Sequence, residues 1–476
     1  MKINKEKRFF SIKKEEILKP GFLFYMGIVF LLSCLLFSCC SSGEQVTFRY
    51  RSAVKKIEKM FAANCIKNNF SGSVQICYKN SILFNRSYGY SNREFGIPNI
   101  PETRFMIGSI TKQMTAAAVM LLKDNGRLSL DDKLDRYFPY LSGAGSVSVR
   151  ELLMHCAGIE RESKEVNSIF KIARSSAEKW FDAAPKFQID IYKYYYENNA
   201  SYIMRQKKPA GRELRSLKYA FHCLGFNNDL PFLSVSDGVE YLLKQEKRFS
   251  TNAHTFCYSN YGYMILGAVI EKASGMKYEK FLTENFFLPL DMNETGFGYN
   301  KSTTPLLAQG YYEYAENDFF NPFKQDAVVN MPDYVNTYAW PSSAGMVYST
   351  TSDLIKWQRG LKTILSAESI DEMFRGTCSI SKKSLSRYGF GTYVALQEIN
   401  NVKRKMYWHD GVIYNFNSII ASFAYDDLQI AILSDQMNGY DFYEWPKKIA
   451  EIIFSYSNDY RGDDDFFDNT DDKMNS

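Results

Sequence analysis

Apolar and polar side chains alternate along Gly72-Ser73-Val74-Gln75-Ile76-Cys77-Tyr78 and again along Ser81-Ile82-Leu83-Phe84-Asn85. A period of two predicts paired strands, and Lys79-Asn80 between them has the length of a tight hairpin turn. The period lengthens over residues 111–125, where Met114, Ala117, Ala118, Leu121 and Leu122 share one helix face and Gly126 supplies a stop. Residues 261–273, closed by Gly275, and residues 352–361, with Ser352 as N-cap, have the same character. Alternation returns in 418–424 and 428–433, and Trp445–Phe454 reads as a last helix. Strands at both ends with helices between them predict an α+β fold, an antiparallel sheet completed by N- and C-terminal strands around a helical subdomain.

One stretch fits neither period. Residues 20–42 carry no charge, and 22–37 are almost wholly apolar behind Lys2, Lys5, Lys7, Arg8, Lys13, Lys14 and Lys19. That is the pattern of an export signal or a single membrane anchor. Leu36-Phe37-Ser38-Cys39 resembles a bacterial lipobox, and the polar Ser41-Ser42-Gly43-Glu44-Gln45 that follows favours Cys39 as the lipidated residue. Lipidation at Cys34 and an uncleaved anchor are the alternatives. All three place the rest of the chain in the bacterial cell envelope, outside the cytoplasm and attached to a membrane. The expected organisation is a leader over 1–38, a tether over 39–54, one domain over 55–455 and an acidic tail over 459–476.

Composition changes this picture little. The chain has 476 residues, 45% hydrophobic and 23% charged, which suits a globular domain. Its net charge of +5 conceals a basic leader and a tail with seven Asp. Lys and Arg are not concentrated on one stripe between residues 50 and 458 as a nucleic-acid binder would have them, which argues against nucleic acid as a partner. The nine cysteines form no disulfide framework and no C-x-x-C pair of the kind zinc needs. The six beyond the leader are expected as small buried apolar residues, with any bridge among them unreadable. Residues 160–245, rich in aromatic and basic side chains, read as an insertion, either a helical elaboration packed on the body or a lid over a cleft.

Candidate chemistry begins at Phe105-Met106-Ile107-Gly108-Ser109-Ile110-Thr111-Lys112, where a Ser opens an amphipathic helix and a Lys follows three residues later on the same face. A hydroxyl becomes a useful nucleophile when a base takes its proton, and a buried Lys can be that base. The free N–H groups of a helix start suit a developing oxyanion. S-x-x-K alone discriminates poorly, since Ser11/Lys14, Ser176/Lys179, Ser274/Lys277 and Ser379/Lys382 also match it. Context separates Ser109: residues 103–134, TRFMIGSITKQMTAAAVMLLKDNGRLSLDDKL, resemble the active-site helix of the serine β-lactamase and penicillin-binding-protein superfamily, in its class C and esterase-like branch.

Three further segments carry that resemblance. Tyr-Ser-Asn occurs at Tyr90, Tyr456 and Tyr258, and only Tyr258-Ser259-Asn260 leads into the superfamily's helix and its Leu288-Pro289-Leu290-Asp291-Met292 segment. Trp408-His409-Asp410-Gly411-Val412 through Asn417-Ser418 resembles the H-x-G strand, with Asn415 where Gly is usual. Leu152-Leu153-Met154-His155-Cys156-Ala157-Gly158 resembles L-L-x-H-x-S-G, and His155 is read as structural. Ala308-Gln309-Gly310-Tyr311 and Ser343-Ala344-Gly345-Met346 agree as well, so the resemblance covers about residues 55–455.

The resemblance implies a β-lactamase/transpeptidase-like fold and an acyl-enzyme on Ser109 without metal or cofactor. Lys112 would be the base, and Tyr258 would shuttle a proton while Lys112 keeps it partly ionised. Asn260 would orient the substrate amide and Lys112, and His409 would bond the Tyr/Ser cluster or a substrate carboxylate. Gly411 would let the substrate approach, with the amides of Val412 and Ser109 as oxyanion hole. His at the third motif, where Lys is the β-lactamase residue, weakens the case for β-lactams. Substrates are expected among D-amino-acid peptides, small esters and β-lactam-like molecules. The competing class is a non-catalytic protein that keeps the cleft to bind peptidoglycan fragments, against which the complete residue set argues.

Overall fold

The computed structural model describes residues 49–67, 70–140, 144–159, 255–297, 304–313, 328–330, 342–381, 386–413, 415–436 and 442–457. The leader, the 160–245 insertion and the acidic tail lie outside them.

The chain enters through helix α1 (Arg51–Ile66), whose Ala53, Ile57 and Phe61 fall on one buried stripe at i, i+4 and i+8. The helix starts inside the stretch expected to be tether. Strands β1 (Gly72–Tyr78) and β2 (Ser81–Tyr88) follow. Lys79 and Asn80 between them both take positive φ (48° and 63°), as the twist of a two-residue hairpin demands. Helix α2 (Thr111–Asp124) carries the Ser-x-x-Lys segment at its start. Helix α3 (Asn260–Ser274) is capped by the Ser259 side chain and stopped by Gly275 at φ 73°. Helix α4 (Thr351–Gly360) is capped by Thr350, two residues before the expected Ser352, because Thr350 Oγ1 accepts the Asp353 N–H.

Helix α5 (Ala367–Phe374) leads into the second run of strands: β3 (Cys378–Ser379), β4 (Arg387–Tyr388), β5 (Tyr393–Ile399), β6 (Val402–Ile413), β7 (Phe416–Phe423) and β8 (Leu428–Ser434). Helix α6 (Trp445–Phe454) closes the described chain.

The eight strands form one sheet in the order β3-β4-β5-β6-β7-β8-β1-β2, all neighbours antiparallel. The last strand of the chain, β8, thus pairs with the first, Gly72 opposite Ser434 and Tyr78 opposite Leu428. The fold is α+β with a sheet completed from both termini, as the sequence pattern predicts. β8 is buried on both faces, which explains its nearly continuous apolar run. Ile430 and Ile432 pack with Phe61, Trp445 and Ile449 under α1 and α6, while Ala431 and Leu433 pack toward α2 with Phe105, Met114 and Phe416.

α2 is buried almost all round, well beyond the single apolar face expected of it. Its small Ala116, Ala117 and Ala118 admit close neighbours, and its buried polar groups have partners. Gln113 accepts from Trp357 Nε1 at 2.7 Å, and Thr115 donates to the Ser343 carbonyl at 2.6 Å. Among the described residues no helix is long and apolar enough to cross a membrane.

Candidate active site

Ser109 lies in the tight turn Gly108–Ile110 that runs into α2, half-buried and reachable from solvent. Gly108 takes a positive φ of 51°. A side chain there would also fail for space, since a Cβ would lie 2.8 Å from Val412 N. The turn is clamped from three directions. Ile107 N–H donates to Val347 O at 2.9 Å, Ser418 Oγ donates to Ile107 O at 2.8 Å, and Gly411 of β6 lies so close that a Cβ there would meet Ile107 and Ser418. Val412, 40% exposed, brings its backbone nitrogen up beside this turn.

Lys112, one turn further, has no exposed surface. Its Nζ lies 3.0 Å from Ser109 Oγ, 2.8 Å from Asn260 Oδ1 and 2.8 Å from Ala344 O. Asn260 Oδ1 and Ala344 O can only accept, so each must face an N–H of the lysine. The remaining tetrahedral position faces Ser109, and it holds an N–H in the ammonium and the lone pair in the amine. The contact is therefore built for passing one proton between Ser109 and Lys112. Tyr258 and Tyr263 present their rings to Nζ at 4.9 and 5.6 Å, which favours the ammonium that forms when Lys112 takes a proton.

Tyr258 reaches the same serine: its hydroxyl is hydrogen-bonded to Ser109. Burial pushes its pKa well above the usual 10, and the bond to Ser109 opposes this only in part. That direction, set mainly by desolvation, favours the protonated phenol over the partly ionised group that the resemblance implies. Asn260, the first residue of α3, is placed by the Ser259 cap. Ser109, Lys112, Tyr258 and Asn260 therefore form one cluster.

His409 does not join it as expected. It is fully buried in β6, with Nδ1 2.6 Å from Asp410 O and Nε2 3.0 Å from the Tyr388 hydroxyl. Nδ1 donates to the carbonyl, so Nε2 accepts from Tyr388 and the imidazole is neutral. Burial, aided by the Lys112 charge, pushes its pKa down to about 3. Its ring is 6.4 Å from that of Tyr258, centroid to centroid. In place of a substrate or Tyr/Ser contact, His409 anchors β6 to Tyr388. Asn415 takes φ 69°, the left-handed geometry that Asn tolerates where Gly is usual.

Cys156 and Cys378 form a disulfide, and of the other described cysteines Cys77 is buried, Cys65 half-buried and Cys257 exposed. The expectation of uniformly buried cysteines fails at Cys257, which stands beside Tyr258. Sequence reasoning also missed Ala344 as the third acceptor of Lys112, although it lies in a segment that carried the resemblance. Tyr388 left no signal at all. Among the described residues no three His, Cys, Asp or Glu gather as a metal site would require.

The Beta-lactamase family matches residues 67–452. Penicillin-binding protein 4* of Bacillus subtilis is 25% identical over 340 residues, covering 71% of this chain and 62% of its own length. Human Serine beta-lactamase-like protein LACTB, mitochondrial, is 27% identical over 293 residues, 58% of this chain and 50% of its own. The chain thus spans between half and two thirds of the length of these relatives. Teichoic acid D-alanine hydrolase of Staphylococcus aureus is 26% identical over 155 residues, 32% of this chain and 36% of its own.

Among solved structures, the octameric penicillin-binding protein homologue from Pyrococcus abyssi shares the fold with a TM-score of 0.59 at 22% identity, over 84% of this chain and 76% of that one. D-amino acid amidase from Ochrobactrum anthropi does so with a TM-score of 0.58 at 19% identity, over 85% of this chain and 98% of that one. The family match runs from before β1 into α6 and so takes in the whole sheet and helices α2 to α5: the chain belongs to the Beta-lactamase family.

Proposed function

We propose that this protein is a serine hydrolase that acylates Ser109 and releases the acyl group to water. The observation that carries the reading is the lysine whose two spare positions face pure acceptors while its third faces Ser109 Oγ at 3.0 Å. In its amine form Lys112 takes the hydroxyl proton as Oγ bonds to the substrate carbonyl carbon. The carbonyl π pair moves to oxygen, beside the amides of Ser109 and Val412. Collapse of the tetrahedral adduct expels the leaving group, which takes its proton from the Tyr258 phenol. The lysine's acquired proton then replaces the one Tyr258 gave up. Water repeats the sequence to free Ser109.

Candidate substrates are D-amino-acid peptides or amides and small esters, with β-lactams behind them. The names of the teichoic acid D-alanine hydrolase and the D-amino acid amidase support that order. Residence in the cell envelope, through a lipid on Cys39, is part of the proposal. It draws on the apolar leader and on the Cys156–Cys378 bridge, which suits an oxidising compartment. Mass spectrometry of the mature N-terminus tests it, and an unlipidated chain beginning at Met1 refutes it.

The chemistry is tested by Ser109→Ala against a fluorophosphonate probe and a panel of esters, D-amino-acid amides, D-peptides and cephalosporins. The variant is expected to lose both labelling and turnover. Full labelling of the variant refutes the assignment of the nucleophile.

A further inference from the structure

We propose that His155 is a positioning residue for Tyr258, bracketing it by the two peptide groups on either side and backing its ring, so that the phenol stays aimed at Ser109. The proposal rests on the serine hydrolase reading above and assigns one more residue to that site. Cys257 N–H donates to the His155 carbonyl at 2.8 Å, and Ser259 N–H donates to His155 Nδ1 at 3.0 Å. The amides immediately before and after Tyr258 in the motif are thus both held by one residue. Between these bonds the imidazole lies against the Tyr258 ring, with centroids 4.3 Å apart and planes inclined by 37°. Tyr263 and Tyr388 enclose the imidazole further, each with a ring centroid 4.9 Å away.

Two features set this residue apart from a packed core histidine. Its φ is +58°, a left-handed conformation uncommon for any residue other than glycine. Among the described residues its buried Nε2 has no hydrogen-bond partner, although Nε2 must carry the proton when Nδ1 accepts from Ser259. A position chosen for stability alone would satisfy that N–H or omit it. The ring must also stay neutral, since a proton on Nδ1 would break the Ser259 bond. Burial, reinforced by the Lys112 charge, keeps it so.

The test compares His155→Leu, which loses the acceptor, with His155→Asn. Asn places an oxygen near the Nδ1 position and tolerates left-handed backbone, but lacks the ring. Turnover of p-nitrophenyl acetate is measured per active site, with sites counted by fluorophosphonate titration, so that misfolded protein drops out. We expect the Leu variant to lose about 100-fold in kcat, as a nucleophile partner displaced by roughly 1 Å would, with KM little changed. The Asn variant should recover a substantial part of that loss. Full kcat per titrated site in the Leu variant overturns the proposal, as does an Asn variant no better than Leu. Ser109→Ala is run alongside: its continued labelling sinks the hydrolase reading itself, whereas a silent Ser109 variant with an unaffected Leu variant sinks only the role of His155.

Discussion

Gly411 offers the sharpest test of how the nucleophile turn is held. A Cβ at this position would lie 2.5 Å from Ser418 Oγ and 2.9 Å from Ile107 C, and nearer still to the Ile107 oxygen. Comfortable contact requires about 3.5 Å, so Gly411→Ala must open the gap by about 1 Å at Ser418 and by more at Ile107. Ile107 cannot easily yield, being bonded to Val347 O through its N–H and to Ser418 Oγ through its carbonyl. β6 must therefore retreat and take the Val412 amide with it. A shift of that size at a reacting centre costs on the order of 10²-fold in kcat, and loss of an oxyanion donor costs a similar amount. Overpacking should remove about 1–3 kcal/mol of stability. The control is Gly345→Ala, on the other side of the same turn, where the nearest contact of a new Cβ is an ordinary 3.6 Å to Gly108 C. Steady-state kinetics per titrated Ser109, paired with urea unfolding, reads both effects. A Gly411→Ala enzyme that is destabilised yet fully active per site, or a Gly345→Ala enzyme equally impaired, would refute the clamp.

Three further outcomes follow from the same geometry. Lys112→Met should slow fluorophosphonate labelling on the order of 10³-fold by removing the base, and labelling at the wild-type rate would exclude Lys112 from proton transfer. Asp435 is fully buried, and desolvation raises its pKa from 3.8 to about 7. Because the folded value lies above the unfolded one, its contribution is complete below about pH 4 and fades as pH rises through 7, by about 4 kcal/mol in all. The stability difference between wild type and Asp435→Asn, measured by urea unfolding from pH 4 to 8, should follow that curve, and a pH-independent difference counts against it. The Cys156–Cys378 bridge closes a separation of 222 residues, so chain entropy predicts about 5 kcal/mol from it. Dithiothreitol should lower the thermal midpoint and reduce turnover too, since Cys156 adjoins His155, and an unchanged midpoint in fully reduced protein would show the bridge to be energetically idle.

Much of the fold was legible wherever a period ran unbroken. The β1–β2 hairpin, α2, α3 and α6 were readable from spacing alone, with Lys79-Asn80 and Gly275 as punctuation. β6 was not, because three consecutive charged residues, Lys403-Arg404-Lys405, interrupt the alternation at its start. Arg404 and Lys405 are nevertheless buried, Arg404 with the Asp426 carboxylate as partner and its guanidinium 4.1 Å over the Phe454 ring. A tertiary partner thus reverses what local polarity suggests. At the site, Ser109, Lys112, Tyr258 and Asn260 were found through motif context. The turn of His409 toward Tyr388 was hidden, since a sequence names a residue without saying which way its ring faces. Ala344 contributes only a backbone carbonyl, which carries no compositional signature. α1 was partly misassigned because its first turn, Arg51 to Val54, is polar enough to pass for tether.

The pairing of β8 with β1 bears on when this protein can first act. Its cluster draws on residues 109, 112, 258, 260 and 344, and the strand that clamps Ser109 spans 402–413. The sheet beneath them closes only when residues 428–434 meet 72–78. Contacts so distant in sequence form late, and at synthesis rates of about 5–20 residues per second the first strand waits tens of seconds for its partner. A chain still emerging from the ribosome therefore holds Ser109 and Lys112 without the framework that couples them. The order of its own strands keeps the nascent protein silent, with no separate inhibitory segment required.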